Sequence, residues 1–500
     1  MQRGRPQARR SHRLRGVLVL ALAVFGAAEA LAQPTIRTSF DRSQGAVAQR
    51  ALSVPAGGRF RLAGVPLEAR TVALDLIRFE VFTSDARVLV QGARRKQTVQ
   101  PPDRAYFRGG IAGEPESLAF LATGQDGEVR GLVVSDGRAF VLGAEREKAP
   151  PEEGLVVRAV EESLRDETAP GWSCGVDALP GPRMGGNHFL ETIFEEQVDV
   201  VTAEAAQHSI LVALETDFEL YDRFDSVDLT AAYVGDLLGA ISAIYYRDLG
   251  TTLRVNFLSL WTTANDPWTG AQSCDSLAQL ANYWVNPANG RATIPRGTVH
   301  FLSGKLAGGK NGIAWVSALC ATPQAAQLSC GTATYSTYFG GFGATHGIDG
   351  SFNPLSPTVV WDIFGTSHEL GHNFGSPHTH CYNNYPLPGS PPVDQCFGTE
   401  PGCYMGPTSL PPGGRGSIMS YCHLLGSTSA NTALSFGAPL QYGTLSERVP
   451  QRIRDFVASR PLSCRTVIDA PPADFNGDGR SEVIIYRNGA WLEFPFWPGN

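Results

Sequence analysis

The chain has 500 residues, 43% apolar and 18% charged, with a formal net charge of −7. That length exceeds one ordinary core, so two or three globular domains are expected, and the composition excludes a disordered chain. The acidic balance gives no electrostatic footprint for nucleic acid or for an anionic membrane.

Residues 1–32 join a basic "MQRGRPQARRSHRLRG" to the apolar "VLVLALAVFGAA" and end on Ala30, Leu31, Ala32. That order reads as a secretory signal peptide cut after Ala32. The competing reading is a membrane anchor, for which the apolar run is shorter than the ~20 residues a bilayer needs. No later segment reads as spanning, so the expected protein is secreted and soluble, with no stable membrane insertion.

From residue 33 to about 150, short apolar runs such as "TVALDLIRFEVF" and "SLAFLATG" alternate with Gly, Pro and Asp, a β pattern. Residues 144–170 turn charged and Pro-containing and read as a linker. From about 205 the pattern becomes α/β. "HSILVALETDFEL", "TLRVNFLSLW", "GTVHFLSGKL" and "GIAWVSALC" read as strands. "SVDLTAAYVGDLLGAISAIYYRDLG" reads as a helix stopped by Gly250, and "TVVWDIFGTSHELGHNFG" as one ending at Gly375. A Pro- and Gly-dense loop covers 383–416, and "LSERVPQRIRDFVASR" suits a last helix with Pro450 early in it or interrupting it.

Nine cysteines in an exported chain point to disulfides. Cys174 stands alone, upstream of an even set of eight from Cys274 to Cys464. Cys381, Cys396, Cys403 and Cys422 bracket the loop, and four cysteines allow three connectivities.

Three of the ten histidines fall in "HELGHNFGSPH", residues 368–378. His368 and His372, four apart on a helix, share a face and reach one metal. Gly375 lets the chain turn and bring His378 round as a third ligand. Three neutral imidazoles leave the fourth position of a tetrahedral Zn²⁺ to water, the pattern of a catalytic site. Glu369, beside the first ligand, is placed as general base. The competing reading is a helix with packed or surface histidines. HExxH alone is a weak signal; the added Gly375 and His378 make it specific.

Together with "SIMSYC" downstream, these residues resemble the metzincin zinc metalloproteases, and with "GIAWVSALC" the adamalysin (reprolysin) branch, which includes snake-venom metalloproteases and ADAM proteases. The resemblance covers about 205–465. It implies an α/β zincin catalytic domain, with a mixed twisted sheet, an active-site helix and a β-rich prodomain before it. It places Met419 as a hydrophobic base under the metal and pairs Cys320 with Cys464. Two positions depart from the adamalysin pattern: Thr379 stands where Asp usually follows the third histidine, and Ser417 where Cys often precedes the Met. "SIMSY" instead is similar to the serralysin and astacin turn, which makes Tyr421 a candidate extra zinc ligand. His380 and His423 read as residues around the site or on the surface.

"WSCGVDALP" resembles the cysteine-switch segment of ADAM propeptides, in which the Cys174 thiolate would fill the fourth metal position in a latent form. The competing reading is a Cys174 that pairs in a disulfide. In the tail, "DFNGDGRSE" offers Asp474, Asn476, Asp478 and Glu482, oxygen donors suited to Ca²⁺. The spacing resembles the calcium loop of FG-GAP or VCBS repeats, of which residues 470–500 hold one incomplete unit; the plain alternative is a polar turn.

The expected organisation is a signal peptide over 1–32, a propeptide over 33–175, the catalytic domain over 205–465 and the repeat fragment after 470. The expected function is a secreted zinc endopeptidase made as a zymogen and acting on protein or peptide substrates. An activating protease would cut between about 175 and 205, with Arg183 one candidate site. Two alternatives stand beside it: an inactive adhesion or binding protein on the same scaffold, and a zinc hydrolase acting on something other than protein.

Overall fold

Alternation of apolar residues in the first third of the chain builds a sheet buried on both faces. β1 (Ile36–Ser39), α1 (Gln44–Leu52), β2 (Arg59–Leu67), β3 (Arg70–Phe79), β4 (Phe82–Gln91), β5 (Lys96–Val99), β6 (Arg104–Ile111), β7 (Glu114–Gly124), β8 (Val129–Ser135), β9 (Arg138–Gly143) and β10 (Val156–Ala159) follow in order. The computed structural model describes residues 1, 35–93, 95–146, 149–160, 173–176, 179, 207–306, 311–426, 429–438, 442–468, 482–487 and 490–495. Eight of these strands form a sheet in the order β1-β2-β3-β6-β7-β8-β9-β10, antiparallel except for β1 with β2. Along β7, Leu118, Phe120 and Ala122 face one core while Ala119 and Leu121 face another, the period of two that a strand imposes. α1, begun by the Ser43 side chain accepting from the Ala46 amide, covers the second face. This helix carries no sequence signal strong enough to stand out among the strands around it.

The second sheet begins at β11 (Gln207–Thr216). The run read as a single strand breaks at Asp217, whose carboxylate accepts from the Leu220 amide and starts α2 (Phe218–Phe224). α3 (Val227–Leu249) ends at Gly250, which takes φ 62°, as its stop signal implies. β12 (Thr251–Trp261), α4 (Ser273–Val285), β13 (Thr298–Leu302), β14 (Gly312–Ala314), the separate hairpin of β15 (Gln324–Cys330) and β16 (Ala333–Phe339), and β17 (Phe342–Thr345) follow. α5 (Val359–Asn373), α6 (Arg448–Ala458), with Pro450 in its first turn, and β18 (Arg465–Ile468) follow, then the separate hairpin of β19 (Glu482–Arg487) and β20 (Ala490–Pro495).

The strand order of this sheet is β14-β17-β13-β11-β12-β4-β5, with β18 also on β11. β14 and β5 are its antiparallel edges; β17, β13, β11, β12 and β4 run parallel. Two of its strands therefore come from the region read as a propeptide, and the boundary drawn at 175 divides the chain without dividing the sheet. α3 lies between the two sheets, against β12 on one side and β6 and β7 on the other. α4 packs on the opposite face of the second sheet, against Ala213, Phe257, Val299 and Phe301.

α3 corrects one expectation: it is long and apolar enough, by length and composition, to cross a membrane. It is a core helix, mostly buried inside the protein. The four disulfides are Cys274–Cys330, Cys320–Cys464, Cys381–Cys403 and Cys396–Cys422. The second is the pair the resemblance implied, tying the chain after α6 to the sheet.

His300 on β13 is buried, with Nε2 2.8 Å from Thr345 Oγ1, and burial pushes its imidazole down to about 3. The folded state keeps it neutral while the unfolded chain protonates near pH 6.5. Its stabilisation is therefore complete above about pH 6.5 and is lost as pH falls toward 3, by about 1.4 kcal/mol per pH unit. Between pH 7.5 and 5, His300→Gln should lose about 2 kcal/mol less unfolding free energy than the unsubstituted protein. Equal losses in urea titrations would remove His300 from the acid response.

Candidate metal centre

The centre is built on the C-terminal half of α5. His368 and His372 lie one turn apart on it, with Nε2 atoms 3.0 Å apart. The helix stops at Phe374, and Gly375 takes φ 101°, a backbone state that side-chain-bearing residues avoid. A Cβ there would also lie 2.8 Å from the Phe456 ring of α6. The turn is held by the Arg452 guanidinium donating to the Gly375 carbonyl at 2.8 Å, and it brings His378 to the other two rings.

The second nitrogen of each ring fixes its tautomer. His368 Nδ1 donates to the Ile418 carbonyl and His372 Nδ1 to the Ser376 carbonyl, both at 2.7 Å. His378 Nδ1 donates to Glu400 Oε2, also at 2.7 Å. A carbonyl or carboxylate oxygen only accepts, so each Nδ1 carries a hydrogen, and in the neutral ring the lone pair is then on Nε2. Burial holds the His368 and His372 imidazoles well below their usual range, so both are neutral. Three lone pairs thus converge in a buried space, and His378 Nε2 meets no hydrogen-bond donor there. A cation satisfies all three, and with Cys174 Sγ the ligand atoms lie within 4.8 Å of one another. This donor set fits Zn²⁺.

Glu369 points into the same space. Its Oε2 is 3.5 Å from Cys174 Sγ, its Oε1 is buried without a hydrogen bond, and burial pushes the carboxyl well above the usual carboxylate range. The opposite wall is Gly312 of β14, where a Cβ would lie 2.1 Å from Glu369 Oε1. Only a glycine allows the edge strand to approach so closely. Met419 Sδ packs over Gly371 beneath the histidines. Its turn also acts through backbone: the Ile418 carbonyl holds His368, and the Met419 carbonyl accepts from both the amide and the hydroxyl of Thr379. Thr379, which stands where adamalysins usually carry Asp, thereby ties the segment of the third histidine to this turn.

Cys174 is in none of the four disulfides and sits on the cluster. Its Sγ is 3.4 Å from His372 Nε2. Its backbone runs parallel to β14 through a bridge with Gly312: Gly175 N donates to the Gly312 carbonyl at 2.7 Å, and the Asn311 amide donates to the Ser173 carbonyl at 2.9 Å. Residues 173–176 therefore form a strap along the sheet edge nearest the histidines. Tyr421 lies beside them, but its hydroxyl is engaged with the strap, accepting from Cys174 N at 3.2 Å and donating to the Cys174 carbonyl at 3.1 Å.

His380 and His423 are both fully buried. His380 Nε2 meets Glu400 Oε2 at 2.7 Å, so one carboxylate oxygen holds two imidazoles. Burial alone would raise the Glu400 pKa; the neighbouring His378 and His380 outweigh it and hold the carboxyl below its usual range. Sequence reasoning missed Glu400, because nothing in the local pattern of the loop marks it; the Cys381–Cys403 and Cys396–Cys422 disulfides hold that loop against the site. Glu400→Ala, in a Cys174→Ala background, should weaken zinc binding by about 10- to 100-fold. Competition with a chromogenic chelator measures this; unchanged affinity would show that His378 needs no such anchor.

Asp474, Asn476 and Asp478 lie outside the described residues, as do the leader, Arg183 and most of the expected cleavage segment. Glu482 opens β19, paired with Pro495.

A family model described as Metallo-peptidase family M12 (Reprolysin_5) matches residues 206–434, a span that holds all three histidines, Glu369, Glu400 and Met419. Among solved structures the chain is similar to metalloproteinase-II from Bacteroides fragilis, at 9% identity over 72% of this chain and 93% of that one, with a TM-score of 0.37. No curated protein matches the chain. Residues 206–434 are thus similar to that metallopeptidase family.

Proposed function

We propose that the protein is an exported zinc endopeptidase held latent by its own Cys174. The observation that carries this reading is the convergence of three outward-tethered imidazoles beside a buried glutamate, at the edge of a sheet. His368, His372 and His378 would hold zinc, which would supply a Lewis acid for the scissile carbonyl and a lowered pKa for the attacking water. The rest is done by the chain. β14 offers an edge on which an extended peptide pairs through its backbone, the recognition mode of β-strand addition. Glu369 takes the proton from the attacking water and delivers it to the leaving nitrogen, so the amide bond breaks to a carboxylate and an amine. The fixed tautomers keep the three Nε2 atoms aimed inward throughout the cycle.

The strap supports latency. It lies on the same edge strand, and its thiol lies against His372 and Glu369. Four disulfides agree with export to an oxidising compartment. The test is hydrolysis of unfolded casein by purified protein cut downstream of Cys174. Cleavage stopped by a chelator and restored by zinc is expected. Zinc binding without cleavage of casein or any peptide would favour a binding protein, and cleavage of non-peptide amides alone a different hydrolase.

A further inference from the structure

We infer that residues 35–160 are a permanent half of the peptidase, and that only the strap around Cys174 need leave for activity. The two halves share one sheet and one core. β4 pairs with β12 from Val255 to Trp261, extended by the Val255 amide on the Val81 carbonyl at 2.7 Å and the Thr262 amide on the Gln91 carbonyl at 3.1 Å. Gln91, buried, donates to Ser259 Oγ at 3.0 Å. Without β4, the β12 edge would expose that row of backbone groups, which invites aggregation.

α3 is shaped for the upstream half. Gly235 and Gly239, one turn apart, face its rings: a Cβ at Gly235 would lie 2.4 Å from Tyr106 Oη, and one at Gly239 would lie 2.8 Å from the Phe120 ring. Glycine inside a helix is unfavourable, so two at this spacing call for a packing reason, and these aromatic contacts supply it. Between them Asp236, fully buried, pairs with Arg104 and Arg130 at 2.8 Å each, both from the upstream sheet. Two turns beyond Gly239, the Arg108 guanidinium lies 3.4 Å from the centroid of the Tyr246 ring and donates to Thr252 Oγ1 at 2.8 Å. Departure of residues 35–160 would leave Asp236 unpaired and uncover the face of α3 that packs on them. A buried carboxylate stripped of its partners is strongly destabilising. A propeptide that dissociates freely would not be built into the core in this way.

The test nicks the full chain. A recognition sequence for a site-specific protease is placed within 161–172, and the cut protein is run on size exclusion in native buffer. The two parts should elute together and separate only in denaturant. In a second chain cut also within 180–206, casein hydrolysis should appear in the fraction that still contains residues 35–160. Asp236→Asn, nicked in the same way, should separate at a lower urea concentration, its dissociation constant raised by about a hundredfold. Separation of the unsubstituted parts in native buffer would overturn the inference, whatever the activity, and so would loss of the upstream part on activation. The inference rests on the zymogen reading only for why the connector is cut. Co-elution needs no activity: a strap-free pair that becomes active only once residues 35–160 are stripped away would overturn the inference, while one inactive both with and without them would count against the peptidase reading alone.

Discussion

Glu369→Gln should remove hydrolysis and leave the metal in place. The substitution keeps shape and volume, so the close approach of Gly312 survives, and none of the three imidazole anchors involves Glu369. What is lost is a carboxylate that takes and returns a proton, a contribution of about 10²–10⁴ in kcat. Measured on strap-free protein, casein cleavage should fall by at least about a hundredfold with KM little changed, since the interaction lost is made in the transition state. Elemental analysis should still give one zinc per chain. A variant retaining a tenth of the activity would take the base role away from Glu369. Loss of zinc together with activity would make it a structural residue of the metal pocket.

The parts of this site that were legible in the sequence are those written in local spacing. His368, Glu369 and His372 are set by one helical period, and Gly375 by the left-handed turn that ends it. The position of Cys174 came from resemblance alone, since no spacing rule carries a cysteine across the 194 positions to His368. Glu400 was out of reach for a related reason. It meets His378 through a loop whose path depends on two disulfides, and three pairings were open. The shared sheet was also hidden. The alternation of β4 marks it as a strand, yet its partner β12 begins about 160 residues later, and pairing over such a distance leaves no local mark. One signal was available: α3 is apolar nearly all round, with Gly235, Asp236 and Gly239 in its middle. A helix of that kind is covered on every side, which a catalytic domain with α3 on its outer face would not achieve.

Latency gives the second large effect and separates the two roles open to Tyr421. In the uncut chain, Cys174→Ala removes the strap thiol's contact with the metal ligands and keeps its backbone pairing with β14. With zinc bound, the Cys174 thiolate would face a charged site, and a charge-assisted contact is worth about 1.5–3 kcal/mol, so the open population should rise by about 10- to 100-fold. Casein cleavage by uncut protein should rise by the same factor. Tyr421→Phe removes two hydrogen bonds to the Cys174 backbone and no metal donor if the hydroxyl serves only the strap. Uncut Tyr421→Phe should then gain several-fold in activity, and strap-free Tyr421→Phe should match the strap-free unsubstituted enzyme. If instead the strap-free variant loses about tenfold or more, the hydroxyl released by the strap acts on the metal or on the substrate. In that case the strap blocks the enzyme twice, by placing its thiol at the cluster and by occupying the Tyr421 hydroxyl through its backbone. The double variant then distinguishes these outcomes: additive gains in the uncut chain belong to a tyrosine that only fastens the strap, while a gain from Cys174→Ala erased by Tyr421→Phe belongs to one that also works in catalysis.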